Sequence, residues 1–293
     1  MKKISVTCEK IEDIEKLKNA GADEIMVALK DSVFSALQTF SLDEIEVMVN
    51  QVHALGMGFV VIMNRLFSQS LIEQAKSDLK AVLKMGVDAV IIADPGLYQT
   101  AAQLSLENKL IYNPETLLTS GEDAKFWLST GMQSINISPI LTAEEILLIA
   151  NQAKHAGIQV FGYLLMSISK RPLLTAYQQV IDSKVSLNEN RHLFLREDKR
   201  EGMMPAYENQ AGMMIYTDFI QESFGWLNAF ADAGIERFEL YGNYIPMDAY
   251  LDAISMYQRV LNGEDGEAVR KEFVTKYPTL QVSDGYYGQK TVR

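Results

Sequence analysis

The run KMGVDAVIIADPG, from Lys84 to Gly96, decides the fold. Gly86 stands where an amphipathic helix should end, because glycine takes the left-handed conformation without a Cβ clash. Two residues later Ala89-Val-Ile-Ile92 is apolar on both faces, as suits a parallel strand covered on both sides. Asp94-Pro95 then has the form of a helix start, with Asp as the N-cap and Pro at the first helical position. A helix end, a strand and a helix start within thirteen residues make the joint of a repeating β/α unit.

The joint recurs. It reads Asn19-Ala-Gly-Ala-Asp-Glu-Ile25, Ala54-Leu-Gly-Met-Gly-Phe-Val60, Ser129-Thr-Gly-Met-Gln-Ser-Ile135, His155-Ala-Gly-Ile-Gln-Val160 and Asp232-Ala-Gly-Ile-Glu-Arg-Phe238. The spacing predicts a glycine-ended helix each time, followed by a short αβ loop. Ile45, Met48, Val49 and Val52 share one helix face, as do Ile72, Ala75, Leu79 and Val82. Strands are expected around Ile4, Ile25, Val61, Ile91, Ile111, Ile135, Val160 and Phe238. Eight strands alternating with helices point to an α/β fold, a TIM-like (β/α)8 barrel. A doubly wound open sheet is the alternative, but no Gly-rich dinucleotide turn follows the first strand.

One interval breaks the rhythm. Gly157 and Gly234 lie 77 residues apart, against 26 to 45 for the other neighbours. The surplus, residues 175–221, is polar, Met-rich and irregular, and is expected as an insertion in the loop after the seventh strand, over the catalytic face. The barrel is expected over 1–261 and a short C-terminal extension, charged and then aromatic, over 262–293. That extension either wraps the barrel or hangs free.

Composition narrows the function. The 293 residues are 48% hydrophobic and 22% charged, with a formal net charge of −11. Such a balance argues against a broad nucleic-acid-coating surface, though not against a local basic site. No apolar run reaches membrane-span length and the first ten residues lack a signal-peptide core. Cys8 is the single cysteine, so no intrachain disulfide forms, and a soluble protein of a reducing cytoplasm is expected. The three histidines have no zinc-site spacing.

In a barrel, chemistry sits at the C-terminal ends of the strands. Those ends carry Cys8 and Glu9, Asn64 and Arg65, Asp94, Asn113 and Glu115, and Asn136 and Ser138. The seventh strand, expected to end near Met166, brings Tyr163 and the segment Ser167 to Arg171. The eighth brings Glu239 and Tyr241. Each has a plainer role to be weighed against chemistry. Asp94 can simply cap a helix, Glu9 and Glu115 can face a helix dipole, and Cys8 lacks a histidine to activate it. His53 and His155 precede helix-ending glycines, where a cation is favoured. Lys170-Arg171 resists dismissal. The pair follows an apolar strand, and Pro172 keeps that strand from pairing further. Two cations at the mouth would hold a small anion or a phosphodiester, Arg171 by its bidentate fork. Ser169, Asn64, Asp94, Tyr163 and Tyr241 complete the expected binding set.

Several runs together carry a family resemblance. They are Met85 to Gly96, Ser169-Lys-Arg-Pro-Leu-Leu174, His192 to Asp198 leading to Pro205-Ala-Tyr-Glu-Asn209 and Gly212, and Gly285-Tyr-Tyr-Gly288. The chain resembles the collagenase-like peptidase family U-32 in its short form. That family's diagnostic stretch is a His-Gly pair followed by two cysteines. Laid on this chain, it puts Phe161 and Gly162 at the His-Gly pair and Leu165 and Pro172 at the cysteines, while Ser169 and Arg171 are retained. In relatives those cysteines help to hold an iron–sulfur cluster, so no cluster is expected in this chain alone. Where relatives read Glu-Asp and then Gly-Thr-His, this chain reads Glu208-Asn209 and Gly212-Met213-Met214.

The resemblance implies work on tRNA, at the wobble uridine that short members are linked to hydroxylating. This chain would act as a cluster-less subunit or paralogue with a cysteine-bearing partner, and that partner would carry the RNA. The family name implies a second reading, a peptidase using strand-end carboxylates: Glu115, Glu208, Glu239 or Glu9. A third reading is a non-catalytic barrel that binds a small carboxylate on Lys170 and Arg171.

Overall fold

The computed structural model describes residues 2–33, 35–181, 184–197 and 202–288. β1 (Lys3–Thr7) is followed by α1 (Ile14–Ala20), β2 (Glu24–Ala28) by α2 (Leu42–Ala54), and β3 (Gly58–Met63) by α3 (Ile72–Lys84). β4 (Ala89–Ile92) leads to α4 (Pro95–Ala102), β5 (Leu110–Tyr112) to α5 (Gly121–Ser129), and β6 (Ser134–Ile137) to α6 (Ala143–Gln152). After β7 (Ala156–Ser169) come α7 (Leu173–Ile181), β8 (Leu193–Arg196), β9 (Met203–Asn209) and β10 (Gly212–Glu222). Then follow α8 (Leu227–Ala233), β11 (Ile235–Leu240), α9 (Met247–Leu261), α10 (Gly266–Lys276) and β12 (Val282–Ser283).

β1 to β7 pair in sequence order, all parallel, and β11 closes the ring against both β1 and β7. The barrel expected from the repeated joint is therefore present, and the open-sheet alternative is excluded by the β11–β7 pairing. Helix stripes cover the ring: Ile45, Met48, Val49 and Val52 of α2 and Ala75, Leu79 and Val82 of α3 are buried in the main apolar core. No helix among the described residues is long and apolar enough to cross a membrane.

Five of the six joint glycines have positive φ, from 72° at Gly56 to 113° at Gly234. The sixth differs from expectation. Before β7 the left-handed residue is His155, at φ 66°, and Gly157 lies inside the strand. There a Cβ would come within 2.5 Å of Asn136 Oδ1, so close approach rather than a turn requires that glycine.

The seventh strand also departs from expectation. It does not end near Met166 but runs 14 residues, to Ser169. Its first part belongs to the barrel. Its second part projects beyond the rim because β10 pairs with it antiparallel, with Ser169 opposite Met213. β9 and β8 add to that sheet in turn. Within residues 175–221 the described stretches after α7 thus carry an antiparallel extension rather than irregular chain. Asp198 of the resemblance falls outside the described residues.

The extension bends over the strand ends. Leu37, Leu165, Tyr207, Met214 and Tyr216 form a separate apolar cluster joining it to the loop after β2. Arg191 donates to Glu9 Oε2 at 2.6 Å and to the Leu37 carbonyl at 2.8 Å. At the other end of the chain the tail wraps the barrel: α10 packs on α9, β12 pairs with β10, and the buried Tyr287 hydroxyl meets Gln221 and Ser223.

Candidate functional site

Glu115 is the centre of the mouth. It follows β5 with a left-handed backbone, φ 59°, uncommon for a residue with a side chain. Asn113 supports that turn, its Oδ1 accepting the Glu115 N–H at 2.9 Å. The carboxylate oxygen Oε1 accepts from Ser35 Oγ at 2.8 Å and from Asn64 Nδ2 at 2.7 Å. Glu115 is half-buried and lines three adjoining cavities in common. Burial pushes its carboxyl above the ordinary range. The two donors oppose that shift and the nearby Glu239 adds to it.

The first cavity is a small pocket over β1 and β2, walled by Cys8, Glu9, Ser35 and Asn64. The second is a groove of about 420 Å³. One wall is the loop Pro114 to Leu117; the other is Leu165 to Ile168 of the projecting β7. The third reaches into the barrel past Asn136, Gln159, Glu239 and Tyr241. Among the described residues, none that lines these three cavities is Lys, Arg or His.

Below the mouth a polar ladder crosses the barrel. Lys3 donates to Glu24 at 2.6 Å, and Arg237 bridges Glu24 at 3.2 Å and Glu239 at 3.1 Å. Tyr241 donates its hydroxyl to Glu239 Oε2 at 3.0 Å. Burial alone would raise the Glu24 carboxyl, but Arg237, Lys3 and Ser5 outweigh burial and hold it below its ordinary value. Both oxygens of Glu239 are therefore engaged. Burial drives the Tyr241 phenol well above its usual range.

The structure separates the expected residues. Glu115, Asn64, Tyr241 and Glu239 meet at the mouth. Glu208, on β9, does not. Its carboxylate accepts the N–H groups of Leu174 at 2.9 Å and Thr175 at 3.2 Å, and the Thr175 hydroxyl, so it caps the start of α7. Asp94 caps α4 through Gly96 N at 2.7 Å and also accepts Phe67 N at 3.0 Å. Tyr163 packs edge-on against Tyr244. Ser169 Oγ accepts the Arg171 N–H at 3.1 Å. Lys170 and Arg171 are exposed at the far end of β7, past the groove, and not at the mouth where the sequence suggested an anion. His53 and His155 do pair with carboxylates, Asp88 at 2.8 Å and Glu236 at 3.0 Å.

Ser35, Arg191, Gln159 and Tyr216 were not singled out in the sequence. Ser35 couples the mouth to the extension: its hydroxyl holds Glu115 while its carbonyl accepts the Tyr216 hydroxyl. Arg237 did carry a signal, a cation two residues from Glu239 within an apolar strand and hence on the same face.

Leu165 and Pro172, which the resemblance sets at the two cysteines, carry no thiol. Leu165 is buried in the apolar cluster with Leu37 and Tyr216, and Pro172 precedes α7. Cys8 donates to the Lys10 carbonyl, and burial pushes its thiol up to about 12. Four thiolates cannot be assembled from one.

The chain is 24% identical over an alignment of 302 residues to tRNA hydroxylation protein P2 of Bacillus subtilis (strain 168), covering 98% of this chain and 97% of that one. It is 32% identical over 140 residues to tRNA hydroxylation protein P of Escherichia coli (strain K12), covering 47% of this chain and 31% of that one. Among solved structures, the U32 peptidase Mk0906 superposes with a TM-score of 0.51 at 14% identity, covering 82% of this chain and 92% of that one. A phosphoribosyl anthranilate isomerase from Thermotoga maritima reaches 0.50 at 9% identity, covering 90% and 100%. Both share the fold. The sequence profile of peptidase family U32 matches residues 9–292, and the chain belongs to that family.

Proposed function

We propose that this chain works in tRNA hydroxylation at the wobble uridine, as a member that does not itself hold an iron–sulfur cluster. The observation that carries the reading is the end-to-end similarity to a tRNA hydroxylation protein of nearly the same length. The geometry supports it. The mouth offers Glu115 beside a groove of about 420 Å³, and the groove runs along β7 toward Lys170 and Arg171. A base inserted at the mouth leaves its phosphodiester outside, where those two cations can meet it.

Leu165 and Pro172 replace the thiols, so the redox chemistry is assigned to a cysteine-bearing partner chain. Anaerobic purification of this chain alone should then give no stoichiometric iron or sulfide. The decisive experiment is mass spectrometry of tRNA nucleosides from a deletion strain and its complemented control. Hydroxylated uridine should fall in the deletion and return on complementation; an unchanged nucleoside profile would remove the assignment.

A further inference from the structure

We infer that the outer face of α7 is a self-association surface, on which a second copy of this chain docks helix against helix. The pairing is independent of the proposed role in tRNA.

α7 is amphipathic, but its polar side is the one turned inward. Thr175 donates to Glu208, and Gln178 donates to the Val185 carbonyl. Leu173, Tyr177, Val180 and Ile181 recur at helical spacing on the opposite side, and all four are exposed, Val180 to 82%. A surface helix ordinarily has the reverse arrangement, with its apolar stripe on the core. No charged residue occurs from Leu173 to Ile181. The described residues leave this face open. The rest of the chain has no apolar run to lay on it: residues 182–183 are Asp-Ser, 198–201 are Asp-Lys-Arg-Glu and 289–293 are Gln-Lys-Thr-Val-Arg. A cover therefore has to come from another molecule.

Shape, area and charge point to a second copy. Leu173, Tyr177 and Ile181 are spaced by four and form one ridge; Ala176 and Val180 form the next. The ridge is symmetric about Tyr177, so turned end for end it fits the groove beside itself. The two helix axes would then cross at about −50°. In that two-fold pairing Leu173 of one copy meets Ile181 of the other, and the two Tyr177 side chains lie next to each other. With Val185, whose carbonyl Gln178 holds, the stripe exposes on the order of 500 Å² of apolar surface, the size of patch that marks an interaction site. Two such faces would remove roughly 1,000 Å² from water, the least that a specific interface needs. Each copy has a net charge of −11, so copies repel over most of their surface. A charge-free stripe is where they can approach.

Sedimentation velocity of the full chain from about 1 to about 300 µM tests the pairing, since an interface at the small end of the range associates in the micromolar regime. The chain should pass from monomer to dimer and stop there. Val180→Asp, which sets a charge in the apolar contact, should weaken association about tenfold or more. Val47→Asp on α2, a comparably exposed valine on another helix, should leave it unchanged. At the lowest concentration both variants should melt with the native chain. Tyr177→Cys should form a disulfide-linked dimer on mild oxidation and Val47→Cys should not; the native Cys8 is buried and cannot make that link. A monomer throughout the range, a dimer that Val180→Asp leaves intact, species larger than a dimer, or no cross-link through Tyr177→Cys would overturn the assignment.

Discussion

Asn64 and Glu115, 51 residues apart in the chain, meet at 2.7 Å across the barrel mouth. The contact uses an amide, not a cation, so it leaves the buried carboxyl without a counter-charge. Because the folded state raises the carboxyl's pKa, it favours the protonated form. The resulting stabilisation is complete below the unfolded pKa, about 4.3 for Glu, and is lost as pH rises through the folded value. Glu115→Gln keeps an oxygen to accept from Ser35 and Asn64 and cannot ionise. Its melting temperature should therefore gain on the native protein as pH rises from 4 toward 8. A gap that stays constant, or shrinks, would show that Glu115 is not held toward its neutral form.

Gly162 marks the place where β7 leaves the barrel. Its φ is 120°, and a Cβ there would lie 2.4 Å from the Tyr241 carbonyl oxygen, a backbone atom that cannot step aside. Gly162→Ala combines a forbidden backbone angle with a clash, and should destabilise by about 3 kcal/mol or more. Urea denaturation measures it. A loss under about 1 kcal/mol, the range of an ordinary substitution, would mean the strand exit is not pinned at this residue.

The barrel was legible because its signals are local. A glycine, a short loop and an apolar strand recur within a dozen residues, and the Asp94-Pro95 cap is complete within three. The mouth was legible only in part. Strand-end polarity pointed to Asn64, Glu115, Glu239 and Tyr241, and all four are there. Ser35 could not be found, because its contact with Glu115 spans 80 residues and depends on how the loop after β2 folds back. Arg191 lies 182 residues from Glu9. The length of β7 was hidden for the same reason: its outer half is a strand only because β10, more than 40 residues later, pairs with it. Glu208 drew attention as a carboxylate in a family-like run. Its partners, the first amides of α7, lay in a stretch that looked irregular.

That placement makes a prediction for Glu208. α7 buries none of its side chains, so its N-terminal cap is a main contact holding it. Glu208→Ala should cost about 1–2 kcal/mol locally. In hydrogen exchange the α7 amides should lose protection while β1 to β6 keep theirs. Were Glu208 instead a general base, the variant would leave α7 protection unchanged.

Lys170 and Arg171 test the proposed role in tRNA. Both are exposed beyond the groove, and Pro172 fixes its own φ and restricts Arg171 to extended geometry. A phosphodiester is the guest such a tip can hold, since nothing buries the pair and water must remain on one side. Arg171 has the planar fork that lysine lacks. Replacing both by alanine should weaken tRNA binding and lower the slope of log affinity against log salt by about 1–2, because each phosphate no longer neutralised keeps its counterion. Thermal stability should barely move, as exposed charges contribute about 0–1 kcal/mol. Arg171→Lys should recover the salt slope but only part of the affinity. Titration of labelled tRNA at several salt concentrations, beside melting curves of the same variants, reads both quantities. A salt slope unchanged in the double variant would remove the pair from any phosphate contact, and a large fall in melting temperature would make the pair a structural brace.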